Sequence, residues 1–327
     1  MINIIVWGMG SRAEKFIDRI KSWKREDEYK IAAITDSSVK ETGGSFNDIP
    51  VLSKEDWSNI EPDCIVICAS GYEKEVSKVI NDLYGKEMKY YTPIDDDLYT
   101  DVFFLKQTDR MLKENDLYNI FKNNKHKYTI KVLNYFDVYD KWFSKFRNTD
   151  VVVCEVGVYR GGSLQMWKEY FGKNATIIGV DISEECKKFE EDQIHVEIGS
   201  QNDVNFWNYI KEKYPKVDIL IDDGSHMNEH QILTFESMFP HISDNGIYLC
   251  EDVDTSYWED YGGGYKKEGT MIEYAKDCID VIHASYFDSH NLINNITDMY
   301  GIHFYDNMVL IEKKNVLPCI VIRKENK

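Results

Sequence analysis

The hydrophobic positions of this chain fall into two successive series of strand-type and helix-type segments. The first series predicts strands at 2–7, 29–35 and 64–69, with helices at 13–23 and 73–83. Alternation of this kind produces right-handed crossovers and a parallel sheet. Residues 1–95 are therefore predicted to form a small Rossmann-like α/β domain.

A second series of the same kind begins at residue 151. It predicts strands at 151–156, 175–180, 195–198, 217–221 and 246–250, helices at 164–171 and 229–239, and late strands at 302–312 and 319–322. The late strands are expected to form an antiparallel hairpin at the edge of the sheet. The fold class predicted for the chain is α/β with two doubly wound sheets, the second of them at 151–327.

Residues 96–150 separate the two series and differ from both. They are rich in Asp, Lys, Tyr and Phe at helical spacing and contain no glycine. This composition predicts a helical connector, and residues 134–147 carry an apolar stripe. Two interpretations of the stripe remain open: a helix packed on the following domain, or a lid over an active site.

Two acidic clusters follow predicted strands of the second domain. Asp223 lies in the sequence Ile-Asp-Asp-Gly-Ser-His, and Glu251 and Asp252 directly follow the next strand. The carboxyl ends of parallel strands share one edge of a sheet, so these three carboxylates are expected to converge. They would repel one another without a cation, and hard oxygen ligands suit Mg²⁺ or Ca²⁺, with Mn²⁺ as a further candidate. His226 is a nearby residue of the type that exchanges protons near neutral pH.

A glycine-rich turn at 157–163 connects the first strand of the second domain to a helix. Glycines there let the backbone approach a ligand closely, and the helix N-terminus offers free N–H groups. Asp181 ends the next strand, where a carboxylate can accept hydrogen bonds from both hydroxyls of a ribose. The order of glycine-rich turn and acidic strand ends therefore indicates a nucleoside site next to a metal site.

Several of these segments also carry a resemblance to a known family. They are Tyr-Phe-Asp-Val-Tyr at 135–139, Glu-Val-Gly-Val-Tyr-Arg-Gly-Gly-Ser at 155–163 with Met166 and Trp167, Gly-Val-Asp at 179–181, the two acidic clusters with Thr-Ser-Tyr-Trp at 255–258, and Ile-His-Phe-Tyr at 302–305. Over about residues 130–315 the chain resembles the class I S-adenosylmethionine-dependent methyltransferases. Among them it is most similar to the metal-dependent O-methyltransferases of macrolide deoxysugars (mycinamicin and macrocin type) and to cephalosporin-hydroxylase-like proteins.

The resemblance implies a role for each matching residue. Cofactor-binding residues would be Glu155, Gly157, Ser163, Asp181, Gln201 and Asp222; metal ligands Asp223, Glu251 and Asp252; the general base His226; and substrate contacts Tyr139, Tyr257 and Trp258. The implied cofactors are S-adenosylmethionine and Mg²⁺, with Mn²⁺ as an alternative. The family often has an acidic residue where this chain has Ser200, which weakens the adenine contact expected nearby. Tyr257 and Trp258 are equally compatible with a core position.

The first domain carries a weaker motif. Gly8 and Gly10 after a strand, with Asp36 at the next strand end, match a dinucleotide-fold fingerprint. The segment resembles small nucleotide-binding-fold domains of polysaccharide-biosynthesis enzymes. Either Gly8, Gly10 and Asp36 form a nucleotide site, or the fold serves only for docking or oligomer contacts. The second interpretation is slightly favoured, because no catalytic set accompanies the turn.

Charge and composition narrow the possible partners. The net charge is −18, which disfavours nucleic acid and anionic membranes, since both are bound through an excess of Lys and Arg. The chain has no apolar run of membrane-spanning length and no Cys-x-x-Cys pair, so a cytoplasmic protein with reduced thiols is expected. A homo-oligomer is also expected.

The function predicted from the sequence is transfer of a methyl group to a sugar hydroxyl of a glycan, a nucleotide sugar or a glycosylated natural product. Two alternatives remain at this point. One is a nucleotide-sugar oxidoreductase or epimerase that uses the first domain, and the other is a non-catalytic assembly protein that kept the fold.

Overall fold

The chain divides into two units, Met1–Arg110 and Met111–Lys327. A computed structural model of all 327 residues gives this division. It describes residues 1–54, 56–57, 60–85, 88–95, 98, 102–103, 114–124, 127–286, 296–315 and 321–324. The predicted domain limits at 95 and 150 stay predictions; many residues between 96 and 126 lie outside the described part.

The first unit contains a four-stranded parallel sheet. Its elements are β1 (Ile2–Trp7), α1 (Ser11–Ser22), β2 (Tyr29–Thr35), β3 (Ser45–Phe46), β4 (Ile49–Pro50), β5 (Cys64–Ile67), α2 (Glu73–Tyr84) and β6 (Tyr90–Tyr91). The strand order is β2-β1-β5-β6, and β3 pairs with β4 as a separate short ribbon. Residues 4–7 of β1 and all of β5 are apolar and buried, as is typical of parallel sheets that are covered on both faces.

The second unit is larger. Its elements are α3 (Asp116–Asn123), α4 (Tyr135–Phe143), β7 (Val152–Val156), α5 (Gly162–Phe171), β8 (Thr176–Asp181), β9 (Ile194–Ile198), α6 (Val204–Lys213), β10 (Val217–Asp222), α7 (Asn228–Met238), β11 (Ile242–Glu251), α8 (Met271–Ile282), β12 (Met299–Tyr305) and β13 (Met308–Lys313). Short 3₁₀ turns follow several of them, including one at Val253–Tyr257 directly after β11.

Seven strands form the sheet of this unit, in the order β12-β13-β11-β10-β7-β8-β9. The five strands from β7 to β11 run parallel, and β12 and β13 add an antiparallel hairpin at one edge. From β7 the chain proceeds outward through β8 and β9, and then returns to the other side of β7 with β10. The chain therefore reverses its direction across the sheet between the neighbouring strands β7 and β10. This position is a topological switch point, and open α/β sheets bind ligands there, at the carboxyl ends of their strands. The predicted α/β class, with two parallel sheets and an antiparallel edge hairpin, is confirmed.

The edge hairpin differs in detail from the prediction. Residues 302–312 were expected to be a single strand, but they contain both arms of the hairpin with a turn at Asp306 and Asn307. Asn307 has φ +64°, a left-handed conformation that asparagine tolerates better than most residues. Of the second predicted strand, residues 319 and 320 lie outside the described part, and residues 321–322 are not in a strand.

The apolar stripe at the end of the predicted connector packs inside the second unit. Tyr135, Phe136, Tyr139 and Phe143 of α4 are each at most 1% exposed and share one hydrophobic core with β7 and α5. This burial favours the first interpretation of the stripe, in which the helix packs on the following domain. Across the described part of the chain, no helix has both the length and the apolar character needed to cross a bilayer.

Candidate active site

The carboxyl ends of β7 and β10 approach each other closely at the switch point. Gly157, directly after β7, has φ +96°, and a Cβ atom on it would lie 2.0 Å from the carbonyl oxygen of Asp223. Both the backbone conformation and the lack of space therefore require glycine here. This contact brings the glycine-rich turn beside the first acidic cluster.

Two adjoining cavities open at this edge of the sheet. The larger has a volume of about 710 Å³ and is lined by residues from the glycine-rich turn, the end of β8, the segment 128–131 and both acidic clusters, among them Lys131, Gly157, Ser163, Asp181, Asp223, His226 and Asp252. The smaller, of about 210 Å³, is lined by Ser200, Gln201 and His230 among others. Gly157, Asp181 and Gly224 line both cavities, so the two together form a groove that crosses the switch point.

Asp181 is fixed by backbone donors. Its Oδ2 accepts hydrogen bonds from the N–H groups of Val158 (2.9 Å) and Tyr159 (3.0 Å), and its Oδ1 accepts one from Ser183 N–H (2.9 Å). A carboxylate has about four lone-pair positions, so roughly one position remains free to accept a hydrogen bond from a ribose hydroxyl. The sequence predicted hydrogen bonds from both ribose hydroxyls.

Gln201 connects Asp222 to the smaller cavity. The Gln201 amide donates to Asp222 Oδ1 (3.1 Å) and Thr234 Oγ1 (3.2 Å), and its oxygen accepts from Ser225 N–H (2.8 Å). Asp222 itself is fully buried and also accepts from Tyr248 OH (3.3 Å). It therefore supports the cavity wall from behind. Burial raises the pKa of Asp222 to about 6, although the Gln201 hydrogen bond acts in the opposite direction.

This raised pKa predicts a specific pH dependence of stability. The pKa of Asp222 is about 6 in the folded protein and 3.8 for an unperturbed aspartate. Protonated Asp222 therefore adds to the free energy of unfolding below pH 4, and this addition is lost as the pH rises through 6. We expect the unfolding free energy of the wild type to fall by about 2–3 kcal/mol more than that of Asp222→Asn between pH 4 and pH 7. Urea titrations at several pH values measure this difference, and parallel curves for the two proteins would contradict it.

Among the described residues, Asp223, His226 and Asp252 form a group that could hold a metal ion. One ligand atom of each lies within 4.8 Å of the others, and His226 Nε2 is 3.7 Å from Asp252 Oδ2. His226 Nδ1 is buried and has no hydrogen-bond partner among the described residues. Carboxylate oxygens suit Mg²⁺ and Mn²⁺, and an imidazole nitrogen suits Mn²⁺ better. The donor set of this Asp–His–Asp group (Asp223, His226 and Asp252) therefore fits a divalent cation.

The backbone of this group is unusual at two positions. His226 has φ +57° and Asp252 has φ +52°, left-handed conformations that are uncommon for residues other than glycine and cost of order 1–3 kcal/mol. Each directs a side chain to the same cavity edge.

Two neighbours hold the side chain of Asp252. The Tyr135 hydroxyl (2.6 Å) and the Asn307 amide (3.0 Å) both donate to its Oδ1. Asn307 also accepts from Asp254 N–H at 2.8 Å. The turn of the edge hairpin and helix α4 therefore both fix the second acidic cluster.

Lys131 stands among three carboxylates, one of which, Asp223, also belongs to the Asp–His–Asp group. Its Nζ lies 2.6 Å from Asp223 Oδ2, 3.0 Å from Glu251 Oε2 and 3.4 Å from Glu155 Oε1. We call Glu155, Asp223 and Glu251 the carboxylate cluster. Burial alone would lower the pKa of Lys131, but Asp223 and Glu251 outweigh burial and hold the pKa well above its usual range. Burial, followed by the charge of Asp223, raises the pKa of Glu251.

The geometry bears on three predicted roles, each of which stays a prediction. Glu155 was expected to border the cofactor, but it is fully buried and accepts hydrogen bonds from Ser163 Oγ (2.6 Å) and Trp167 Nε1 (3.0 Å). Tyr139 was expected to contact substrate, but it is fully buried and its hydroxyl donates to Glu251 at 2.5 Å. Glu251 is 1% exposed and does not belong to the Asp–His–Asp group. Its assignment as a metal ligand stays a prediction.

Of the other predicted contacts, the two aromatic residues Tyr257 and Trp258 lie at the surface. Tyr257 and Trp258 are 50% and 51% exposed on the 3₁₀ turn after Asp252, which excludes the core position. In the first unit, Gly8 has φ +115° and packs against the backbone of Ala69. Asp36 accepts a hydrogen bond from Ser38 N–H. A nucleotide site at Gly8, Gly10 and Asp36 stays a prediction.

Known proteins resemble both the sequence and the structure. The chain is 36% identical over 188 residues to demethylmacrocin O-methyltransferase of Streptomyces fradiae, covering 54% of this chain and 47% of that protein. It is 37% identical over 188 residues to mycinamicin VI 2''-O-methyltransferase of Micromonospora griseorubida, with the same coverage. The chain thus spans about half the length of these curated relatives.

Among solved structures, the chain resembles the MycE methyltransferase of the mycinamycin biosynthetic pathway in complex with Mg, SAH and mycinamycin VI. The TM-score is 0.54 at 30% identity, covering 71% of this chain and 63% of that one. A crystal form of MycE with Mg and SAH gives a TM-score of 0.53, covering 68% of this chain and 63% of that one at 30% identity. The chain contains a Rossmann-like methyltransferase fold.

The first residues match a separate family model. Residues 1–90 match the model described as C2185-like, N-terminal. The chain therefore joins this N-terminal domain to the methyltransferase fold.

The sequence did not reveal three supporting residues of the methyltransferase fold: Lys131, Tyr135 in its contact with Asp252, and Asn307. Lys131 stands between apolar residues in a segment without a clear periodicity. An isolated lysine beside Ile130, Val132 and Leu133 was the one available signal. The long-range contacts of Tyr135 and Asn307, across 117 and 55 residues of sequence, leave no local pattern.

Proposed function

We propose that this chain is an S-adenosylmethionine-dependent O-methyltransferase that uses Mg²⁺, or alternatively Mn²⁺, to methylate a sugar hydroxyl. One observation carries the proposal: the Asp–His–Asp group opens into the same 710 Å³ cavity as Gly157 and Asp181. A metal site and a nucleoside site side by side are what metal-assisted methyl transfer requires. The two curated relatives named above are O-methyltransferases, and the structure of MycE is a complex with Mg and SAH.

Binding of the cofactor would use the groove across the switch point. Asp181, held by three backbone N–H groups, would accept a hydrogen bond from the ribose. The smaller cavity beside Ser200 and Gln201 would take the base. Gly157 lets the glycine-rich turn approach this groove because it carries no Cβ.

Proton transfer would fall to His226. A sugar hydroxyl is a weak nucleophile at neutral pH, and a bound divalent cation supplies Lewis-acid polarisation of that oxygen. Asp223 and Asp252 would hold the cation, with Asp252 oriented by Tyr135 and Asn307. His226, placed beside both carboxylates, would accept the proton of the acceptor hydroxyl. The walls of the cavity would align the acceptor with the donor, which is a large part of the catalysis in a displacement of this kind.

The acceptor is proposed to be a sugar on a glycan, a nucleotide sugar or a glycosylated natural product. Tyr257 and Trp258 support a sugar, since exposed aromatic rings just beyond Asp252 can stack on the apolar face of a pyranose. A cytoplasmic location is also proposed, because the six cysteines of the described residues are buried and unpaired. We also propose that the chain does not bind nucleic acid, and its net charge of −18 supports this. The homo-oligomer stays a prediction.

Replacement of Asp181 tests the cofactor site. Asp181→Ala removes the acceptor of the ribose and the anchor of the turn, so we expect the Kd for S-adenosylhomocysteine to rise at least tenfold, the loss of a hydrogen bond to a charged group. Isothermal titration measures both proteins, and the exposed Asp192→Ala serves as control. Equal affinity of wild type and Asp181→Ala would remove the ribose assignment, and a wild type that binds neither S-adenosylmethionine nor S-adenosylhomocysteine would overturn the function.

A further inference from the structure

The contacts of Lys131 place a positive charge at the centre of the carboxylate cluster. The side chains of Lys131 and Glu251 are each 1% exposed and that of Glu155 is 0% exposed. Both oxygens of Glu251 lie within 3.2 Å of the Lys131 ammonium. Three carboxylates around one ammonium still carry an excess of negative charge, and buried charges require a compensating partner.

Lys131 and a divalent cation would draw on the same carboxylates. The ammonium lies 2.6 Å from Asp223 Oδ2, whereas Mg²⁺ binds carboxylate oxygens at about 2.0–2.1 Å. Asp223 belongs both to the carboxylate cluster and to the Asp–His–Asp group, so the two cations would lie within a few ångströms of each other. Their repulsion in a partly buried site is large.

We propose that Lys131 is the resident counter-ion of the carboxylate cluster and that a divalent cation binds by displacing its ammonium from Asp223 and Glu251. This inference rests on the metal-dependent function proposed above and deepens it. Among the described residues, displacement leaves the Asp223 carboxylate without a hydrogen-bond partner and leaves the Glu251 carboxylate only the hydrogen bond from Tyr139. It thereby makes Glu251 available as a further oxygen ligand.

The position of Lys131 in the fold permits this exchange. It belongs to residues 127–132, which lie outside every helix and strand. Tyr128, Ile130 and Lys131 line the 710 Å³ cavity, and residues Tyr128 and Ile130 are 52% and 63% exposed. A lysine ammonium is a compact charge on a flexible four-carbon stem. It can therefore leave the carboxylate cluster for the solvated cavity without disturbing the sheet.

Metal affinity tests the proposal directly. Lys131→Met keeps a long unbranched side chain and removes the charge, so we expect Mn²⁺ and Mg²⁺ to bind at least tenfold more tightly than to the wild type. Isothermal titration with each ion measures this. Lys127→Met is the matched control, because Lys127 lies on the same segment but contacts Glu191, at 3.8 Å. Affinity of Lys131→Met equal to or weaker than that of the wild type, in a folded protein, overturns the proposal.

A measurement on the wild type covers the case in which Lys131→Met does not fold. Acetylation of lysines, followed by mass spectrometry, reports the accessibility of each ammonium. Saturating Mg²⁺ is expected to raise the labelling rate of Lys131 severalfold and to leave Lys127 unchanged. An unchanged rate for Lys131 overturns the proposal. Titration of the wild type with S-adenosylhomocysteine separates this result from the function: a protein that binds the nucleoside and the metal while Lys131 stays protected keeps its function and loses only the displacement.

Discussion

Asp223→Asn is expected to reduce metal-supported methyl transfer by about 10³-fold or more. Asp223 belongs to the Asp–His–Asp group and also contacts Lys131, and its replacement removes a charged ligand from the proposed metal site. Lewis-acid stabilisation of the transition state is worth several kcal/mol, and each 1.36 kcal/mol corresponds to a factor of ten in rate. The measurement is transfer of a labelled methyl group from S-adenosylmethionine to a panel of nucleotide sugars and glycosides across a range of Mg²⁺ concentrations.

The control for this variant is Asp260→Asn, which removes the same charge from an exposed position and should leave activity near the wild-type level. Asp223→Asn should also weaken Mn²⁺ binding in the absence of substrate. This measurement distinguishes an effect of the substitution on metal binding from an effect on binding of the acceptor. Wild-type activity that persists in an excess of chelator would contradict a metal role for Asp223.

His226→Gln is expected to lower turnover by roughly 10²–10⁴-fold, the usual contribution of a general acid or base. Glutamine retains a polar side chain of similar length but cannot accept and release the proton. Because Asp223 and Asp252 remain, the affinity for the divalent cation should fall much less than turnover does. Parallel measurements of turnover and of Mn²⁺ affinity distinguish a base from a metal ligand.

His195→Gln provides the matched control, since His195 is an exposed histidine on β9. If His226→Gln turned over at the wild-type rate, His226 would not be the base. If its turnover and its metal affinity fell by the same factor, His226 would instead act as a ligand, which its 3.7 Å distance from Asp252 also permits.

The strands that build the switch point could be predicted from the sequence because they are short apolar runs followed by glycine or an acidic residue. β1 and β2 occupy the predicted ranges, and β7, β8 and β10 differ from theirs by at most one residue at either end. The start of β11 could not be predicted. It begins at Ile242 and passes through polar residues at 243–245, where the pairing with β10 shifts register between Val217 and Ile219. A pattern of apolar positions does not contain such a shift.

The candidate site could be predicted in part, because the order of the strands determines which strand ends meet. Strand ends bring Asp181, Asp223 and Asp252 to one edge by topology alone, and topology follows from the order of the elements. The neighbours that orient them could not be predicted in the same way. Lys131, Tyr135 and Asn307 reach the site across long stretches of sequence, and their contacts depend on how α4 and the edge hairpin pack against β11. The burial of Glu155 and Tyr139 was missed because a polar residue at a strand end or on a helix is normally expected to face solvent.

The left-handed backbone at His226 and Asp252 ties the folding energy of the protein to its proposed chemistry. Glycine is the residue that such conformations favour, so glycine at either position would relieve backbone strain while removing a side chain that the proposed reaction needs. The cost of the strained backbone therefore falls on the same two residues that would hold the metal and move the proton.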